Sequence, residues 1–303
     1  MANSFRHVAI IGLGLIGSSI ARAVREQLPE VRLSTFDADP AVRERARALD
    51  LADAVAEHAG GAVAEADLVI LCVPVGAMGE AAAAIAGRLR PDTVISDVGS
   101  SKAAVAAALR AALPGARIVP AHPVAGTENS GPDAGFAALF RGRWCILTPD
   151  EDAATEDVER LSAFWTALGA RVDVMDPRHH DLVLAVTSHL PHLIAFTIVH
   201  TASDLERVTQ SEVIKYSAGG FRDFTRIAAS NPTMWRDIFL SNKEAVLGML
   251  QRFSEDLSHL QRAIRNDDGD TLFDLFTRTR AVRRGIVDQG QDVAKADFGR
   301  SEA

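Results

Sequence analysis

Three stretches of the chain hold residue types suited to proton and hydride chemistry. The first is Ala121-His122-Pro123-Val124-Ala125-Gly126-Thr127-Glu128-Asn129-Ser130-Gly131, directly after an apolar run that reads as the last strand of a nucleotide-binding sheet. An imidazole titrates near neutrality, so at physiological pH it can be free and still accept a proton usefully. Loops at the carboxyl ends of such strands face the reactive ring of a dinucleotide, which makes His122 the candidate general base. The second stretch, Asp97-Val98-Gly99-Ser100-Ser101-Lys102, ends the preceding strand. Its Ser100 hydroxyl suits three jobs: orienting the imidazole, touching the nicotinamide, or capping the helix that follows.

The third stretch is Thr187-Ser188-His189-Leu190-Pro191-His192, inside a long helical pattern. His189 and His192 stand three apart and share a face, and Pro191 predicts a kink. No Cys, Asp or Glu stands at matching ligand spacing, so the pair reads as substrate contacts and no metal is expected. His179-His180 reads as the polar start of this helix. Farther on, Arg226 follows Gly219-Gly220 and Asp223, and suits either a bidentate clamp on a carboxylate or an ordinary solvated surface. Trp235 reads as partly core and partly pocket lining.

These groups need a scaffold, and the N-terminal half supplies its signature. Gly12-Leu13-Gly14-Leu15-Ile16-Gly17 follows a strand and opens a helix. Gly12 serves the tight turn, Gly14 the close approach of backbone to pyrophosphate, and Gly17 helix–strand packing. The helix start then offers free N–H groups to the phosphates. Asp37 stands twenty residues after Gly17, at the end of the second strand, where a carboxylate binds ribose hydroxyls and repels a 2′-phosphate. NAD is therefore expected over NADP, with Asp39 able to share the role and Arg43 pulling the other way. Such glycines also serve FAD or another nucleotide. Val73-Pro74, after the central strand, complete the expected cofactor contacts with Gly12, Gly14, Leu15, Ile16, Gly17 and Asp37.

Strands are predicted at His7–Ile11, Val31–Phe36, Ala66–Val73, Val94–Val98 and Arg117–Ala121, separated by helical patterns. The alternation predicts an α/β, doubly wound, mostly parallel Rossmann sheet. Trp144–Leu147 and Arg171–Met175 add two strands around a helix at Asp157–Leu168. From Pro177 onward helical patterns dominate, over about 178–206, 231–265 and 268–294, with Ser217–Gly220 a loop able to shape the pocket and the chain fraying from Asp297. The expected domains are 1–176, binding NAD, and 177–303, all-helical, binding substrate and dimerising. Val246, Leu250, Phe253, Leu257, Leu260 and Ile264 form a stripe that suits either an internal core contact or a dimer interface.

The chain has 303 residues, 48% hydrophobic and 24% charged, with net charge −8. That charge argues against nucleic acid and anionic membrane surfaces as partners. Cys72 and Cys145 lie in apolar runs and read as reduced thiols. No signal-peptide core or uninterrupted run of ~18 apolar residues is seen, so a cytoplasmic protein is expected.

Taken together, VAIIGLGLIGSS, DVGSSK, AHPVAGTENSG, TSHLPH, GGFRDFTRIAASNP and MWRDIFLSNKEAV resemble the prephenate dehydrogenase family, which includes arogenate and cyclohexadienyl dehydrogenases. The resemblance runs from about residue 7 to 262. It implies an NAD-binding domain, a dimerising helical domain, and oxidative decarboxylation of prephenate to 4-hydroxyphenylpyruvate or of arogenate to tyrosine. By the same resemblance His122 is the base on the ring hydroxyl and Ser100 its neighbour. Thr127 and His192 contact substrate, Arg226 binds a substrate carboxylate, and Asp223 and Trp235 support the pocket. No fused mutase or regulatory domain is expected, so tyrosine feedback would act at the active site. Two rival readings stand beside this one: a β-hydroxyacid-type dehydrogenase relying on Lys243, and a non-catalytic NAD-binding sensor.

Overall fold

A computed structural model describes residues 5–127, 129–209 and 219–288. Ser217 and the segment beyond Asp297 lie outside the described residues. Six strands form one parallel sheet in the order β3-β2-β1-β4-β5-β6: β1 (His7–Ile11), β2 (Arg32–Phe36), β3 (Ala54–Val55), β4 (Leu68–Leu71), β5 (Val94–Asp97) and β6 (Arg117–Ile118). The central strands β1, β4 and β5 are buried along their whole length. Their near-continuous apolar sequences follow from helices covering both faces. The chain reverses its direction of travel across the sheet between β1 and β4, which opens a crevice at the carboxyl ends of those strands.

The expected strand Arg117–Ala121 is two strands. β6 stays in the parallel sheet, and the chain then leaves through Val119-Pro120. β7 (Ala121–Pro123) pairs antiparallel with β8 (Trp144–Leu147), which pairs parallel with β9 (Arg171–Val174). Pro120 has no N–H to give a ladder, so the switch of sheets falls there. Its carbonyl still accepts from Thr148 N at 2.9 Å. His122 thus sits within a strand, opposite Ile146, rather than in the loop after one.

The helices divide the second half more finely than periodicity suggests. Pro177–Leu184 runs into a wide π-type turn, Ala185–His189, and continues as Leu190–Thr209. Helix Pro232–Ser241 ends at Asn242 and Lys243–Arg265 begins. The helical stretch 177–204 contains an 18-residue window of mean hydropathy 1.8, long and apolar enough to span a membrane by length and composition alone. Thr187, Ser188, His189, His192 and Thr197 interrupt it, so it is not an uninterrupted apolar run. The described chain divides into two compact units, Met1–Leu247 and Gly248–Ala303. The predicted boundary near Asp176-Pro177 lies inside the first unit, where Asp181 is bonded to the start of helix Ala103–Ala112.

Each glycine of the nucleotide loop meets a different constraint. Gly12 has φ +98°, and a Cβ there would lie 2.6 Å from the Cys72 carbonyl oxygen. A Cβ on Gly17 would lie 2.0 Å from the Gly12 carbonyl oxygen, both atoms being backbone. A Cβ on Gly14 would meet nothing within 4 Å. Gly17→Ala should therefore destabilise the fold by roughly 2 kcal/mol or more, while Gly14→Ala, costing only a poorer N-cap, should destabilise it by about 1 kcal/mol or less. Thermal melts of the two variants check this, and equal melting temperatures would contradict it.

Candidate active site

A buried ion pair sets the site. Asp97, at the end of β5, and Lys102, five residues on, are both fully buried, and the Lys102 ammonium bonds the Asp97 carboxylate. Lys102 Nζ also donates to the Ala121 carbonyl at 2.6 Å, and Asp97 Oδ1 accepts from Ala121 N at 3.3 Å. β7 is thereby pinned to the carboxyl end of β5, and the next residue is His122. Burial pulls the Lys102 ammonium down from its ordinary value, and Asp97 opposes that pull.

His122 is buried, and its Nδ1 lies 2.9 Å from His180 Nε2, the rings meeting edge to face at 5.1 Å. His180 Nδ1 is 2.9 Å from Asp181 Oδ1. The Asp181 carboxylate accepts from Lys102 N at 2.6 Å and Ala103 N at 3.0 Å. It therefore caps helix Ala103–Ala112 from a distant part of the chain, and Ser100 does not perform the capping job open to it in the sequence. Ser100 is half-buried beside His189, and the neighbouring Ser101 hydroxyl pairs with Ser241 at 2.8 Å.

The two helix histidines have different surroundings. Pro191 cannot donate to the preceding turn, and the wide turn Ala185–His189 lies just before it. His189 is fully buried, and its Nδ1 receives Asn242 Nδ2 at 3.1 Å while that amide also donates to the Asp181 carbonyl at 2.7 Å. His192 is half-buried and stacks on Trp235 at 3.6 Å between ring centroids, with Nδ1 donating to the Ser188 carbonyl at 2.9 Å. Trp235 also meets His189 edge-on at 6.1 Å. Its indole N–H is buried without a hydrogen-bond partner among the described residues.

Burial pushes all four imidazoles toward the neutral form. For His122, burial is the largest cause and the charges of His180, Lys102 and His189 add to it, holding it well below the ordinary histidine value. Burial lowers His180 against the opposing pull of Asp181, and it lowers His189 to about 4. Burial also lowers His192, helped by the Arg226 charge and opposed by the Ser188 carbonyl.

On the nucleotide side, Asp37 Oδ2 accepts from Leu13 N at 2.7 Å and Oδ1 from Asp39 N at 2.9 Å, fixing the carboxylate beside the glycine turn. Asp39 instead caps helix Pro40–Ala48 through Ala41 N. Arg43 donates to the Asp37 and Ala38 carbonyls and pairs with Glu57, so its charge is already engaged. Leu15 and Ile16 are half-buried, Val73 flanks Gly12, and Pro74 is exposed. The open space at Gly14, the free helix start and the fixed Asp37 fit a dinucleotide.

Thr127, Asp223 and Arg226 are exposed. Arg226 opens the turn Arg226–Ala229 after helix Gly219–Thr225, close enough to His192 for its charge to act there. Asp97, Lys102, His180, Asp181 and Asn242 were not singled out by the sequence. One signal did exist for His180: it stands four residues before buried Leu184 and so shares that helix's buried face.

Comparison with known proteins matches the chain to one family. Its nucleotide-binding domain model, described as prephenate dehydrogenase, matches residues 20–174, and its dimerization domain model matches residues 176–278. Cyclohexadienyl dehydrogenase of Zymomonas mobilis is 49% identical over 93% of this chain and 96% of its own length. Prephenate dehydrogenase of Bacillus subtilis is 34% identical over 92% of this chain and 76% of its own. The crystal structure of prephenate dehydrogenase from A. aeolicus in complex with hydroxyphenyl propionate and NAD+ superimposes with a TM-score of 0.88 at 33% identity, covering 94% of this chain and all of that one. Synechocystis arogenate dehydrogenase superimposes with a TM-score of 0.78 at 26% identity, over 92% and 99%.

The buried histidines have a consequence for acid stability. Their folded-state values lie below that of an unfolded histidine, so below pH ~6.5 the unfolded chain binds protons that the folded one refuses. Stability should be full above that pH and fall progressively as the pH drops toward about 4, the value held by His189. Melting temperatures from pH 7.5 to 4.5 measure this, and the fall should shrink in His189→Gln. A flat profile would contradict it.

Proposed function

The chain belongs to the prephenate dehydrogenase family, and from that premise we propose how its own residues carry out the reaction. It is an NAD-dependent oxidoreductase that oxidatively decarboxylates prephenate or arogenate. Gly12, Gly14, Leu15, Ile16, Gly17, Asp37, Val73 and Pro74 would hold the dinucleotide, which when bound supplies the acceptor for the hydride.

The observation that carries the mechanism is His122, buried, kept neutral, and pinned by Lys102 and Asp97 at the carboxyl end of β5. A neutral imidazole there is ready to accept a proton. His122 takes the proton of the ring hydroxyl while that carbon gives up its hydride and gains carbonyl character. The ring carboxylate leaves as CO2, its electron pair enters the ring, and the aromatic oxygen recovers the proton from His122. Arg226 clamps a substrate carboxylate and contributes by alignment. His192 and Trp235 form a stacked wall to the pocket. Thr127, Asp223, His189 and Ser100 complete the proposed site.

Residues 177–303 would bind substrate and pair two copies. Leu182, Val186, Ile198 and Val199 are exposed in the first compact unit, and Leu257, Ile264, Phe273, Phe276 and Val282 in the second, faces suited to a homodimer. Cys72 and Cys145 are both free, as suits a reducing cytoplasm. Lys243 is exposed at the start of its helix, and loss of activity in Lys243→Ala but not in His122→Asn would favour the rival reading.

NADH formation with prephenate and with arogenate tests the whole reading, and turnover of neither substrate would refute it. His122→Asn should cut kcat roughly 10²–10⁴-fold with NAD affinity unchanged. Arg226→Ala should act mainly on the substrate KM, and an unchanged KM would refute the clamp.

A further inference from the structure

Resting on that reading, we propose that His180 and Asp181 are positioning residues that fix the tautomer of His122, so that Nε2 carries the free lone pair. The deduction follows the hydrogen bonds in order. The Asp181 carboxylate already accepts from two main-chain N–H groups, at 2.6 and 3.0 Å, and acts toward His180 as an acceptor. His180 Nδ1, 2.9 Å away, must then carry a hydrogen. A neutral imidazole carries only one, so His180 Nε2 is an acceptor. Its contact at 2.9 Å is His122 Nδ1, which therefore carries the hydrogen of that ring. The same count leaves His122 Nε2 bare.

The alternative arrangement, a protonated His180 donating at both ends, would put the hydrogen of His122 on Nε2 and disarm it as a base. Burial works against that form, since His180 is fully buried, held below its ordinary value and repelled by the Lys102 charge. Asn242 braces the same residue by donating to the Asp181 carbonyl at 2.7 Å. The anchor of the whole chain is helix Ala103–Ala112, whose first N–H groups hold the carboxylate. Orientation and protonation of the base are thus set by groups that need touch neither substrate nor cofactor.

Nitrogen-15 spectra of the histidines in the full-length protein at pH 7 read the tautomer directly, without substrate. His122 should have its hydrogen on Nδ1, and finding it on Nε2 would overturn the proposal. In kinetics, His180→Leu removes the acceptor and should lower kcat by roughly 10²-fold, leaving NAD affinity and substrate KM unchanged. His180→Gln restores an acceptor oxygen and should recover much of that loss. Equal kcat in His180→Leu and the unaltered enzyme, or equal losses in both variants, would overturn the proposal. Should His180→Leu fail to fold, the tautomer spectrum still decides. An unaltered enzyme that turns over neither substrate refutes the functional reading, while the spectrum separately judges the hydrogen-bond chain.

Discussion

The Asp97–Lys102 pair joins three parts of the chain whose positions would otherwise be independent. It closes the end of β5, starts the following helix, and grips both polar groups of Ala121 on another sheet. Both partners are fully buried. Removing one charge from such a pair leaves the other stranded in a poorly polar interior, typically at a cost of about 3–5 kcal/mol. Each partner bonds more than its counter-ion, and those extra bonds reach main chain at the site. The pair thus acts as a fastener for backbone, and His122 inherits its position from the residue before it.

Much of the architecture was readable in one dimension, for reasons of local physics. β1, β4 and β5 are continuous apolar runs because both their faces are covered, and the glycine loop announces itself through backbone demands visible in residue type. β3, only two residues long, has no periodicity to detect. The split of β6 from β7 depends on which sheet offers partners, and only Pro120 marks it. The candidate site shows the same division. His122, His192 and Arg226 stand in unusual local sequences. His180 and Asp181 derive their meaning from atoms 58 and 79 residues away. A histidine pair at a helix start looks solvated until the tertiary fold brings a second imidazole to it.

Four half-buried or buried imidazoles lie in this region, with a buried ammonium close by. Each would be costly to charge, so the fold keeps the proton-accepting form of its base at the expense of tolerance to acid. The carboxylates balance this only in part: Asp97 is committed to Lys102, and Asp181 is shared between a helix start and His180. The result is a region rich in nitrogen lone pairs, suited to receiving a proton transiently and returning it.

The wide turn Ala185–His189 has a geometric consequence for everything after it. An ordinary helix advances ~100° per residue, so one surplus residue rotates the downstream faces by that angle. The turn works as a phase shifter between two helical segments that otherwise read as one. Upstream of it, the segment is indexed to the start of helix Ala103–Ala112 through Asp181. Downstream, it is indexed to Trp235 through His192. Each segment keeps its own angular register, and the mismatch between them is taken up in one turn beside a proline.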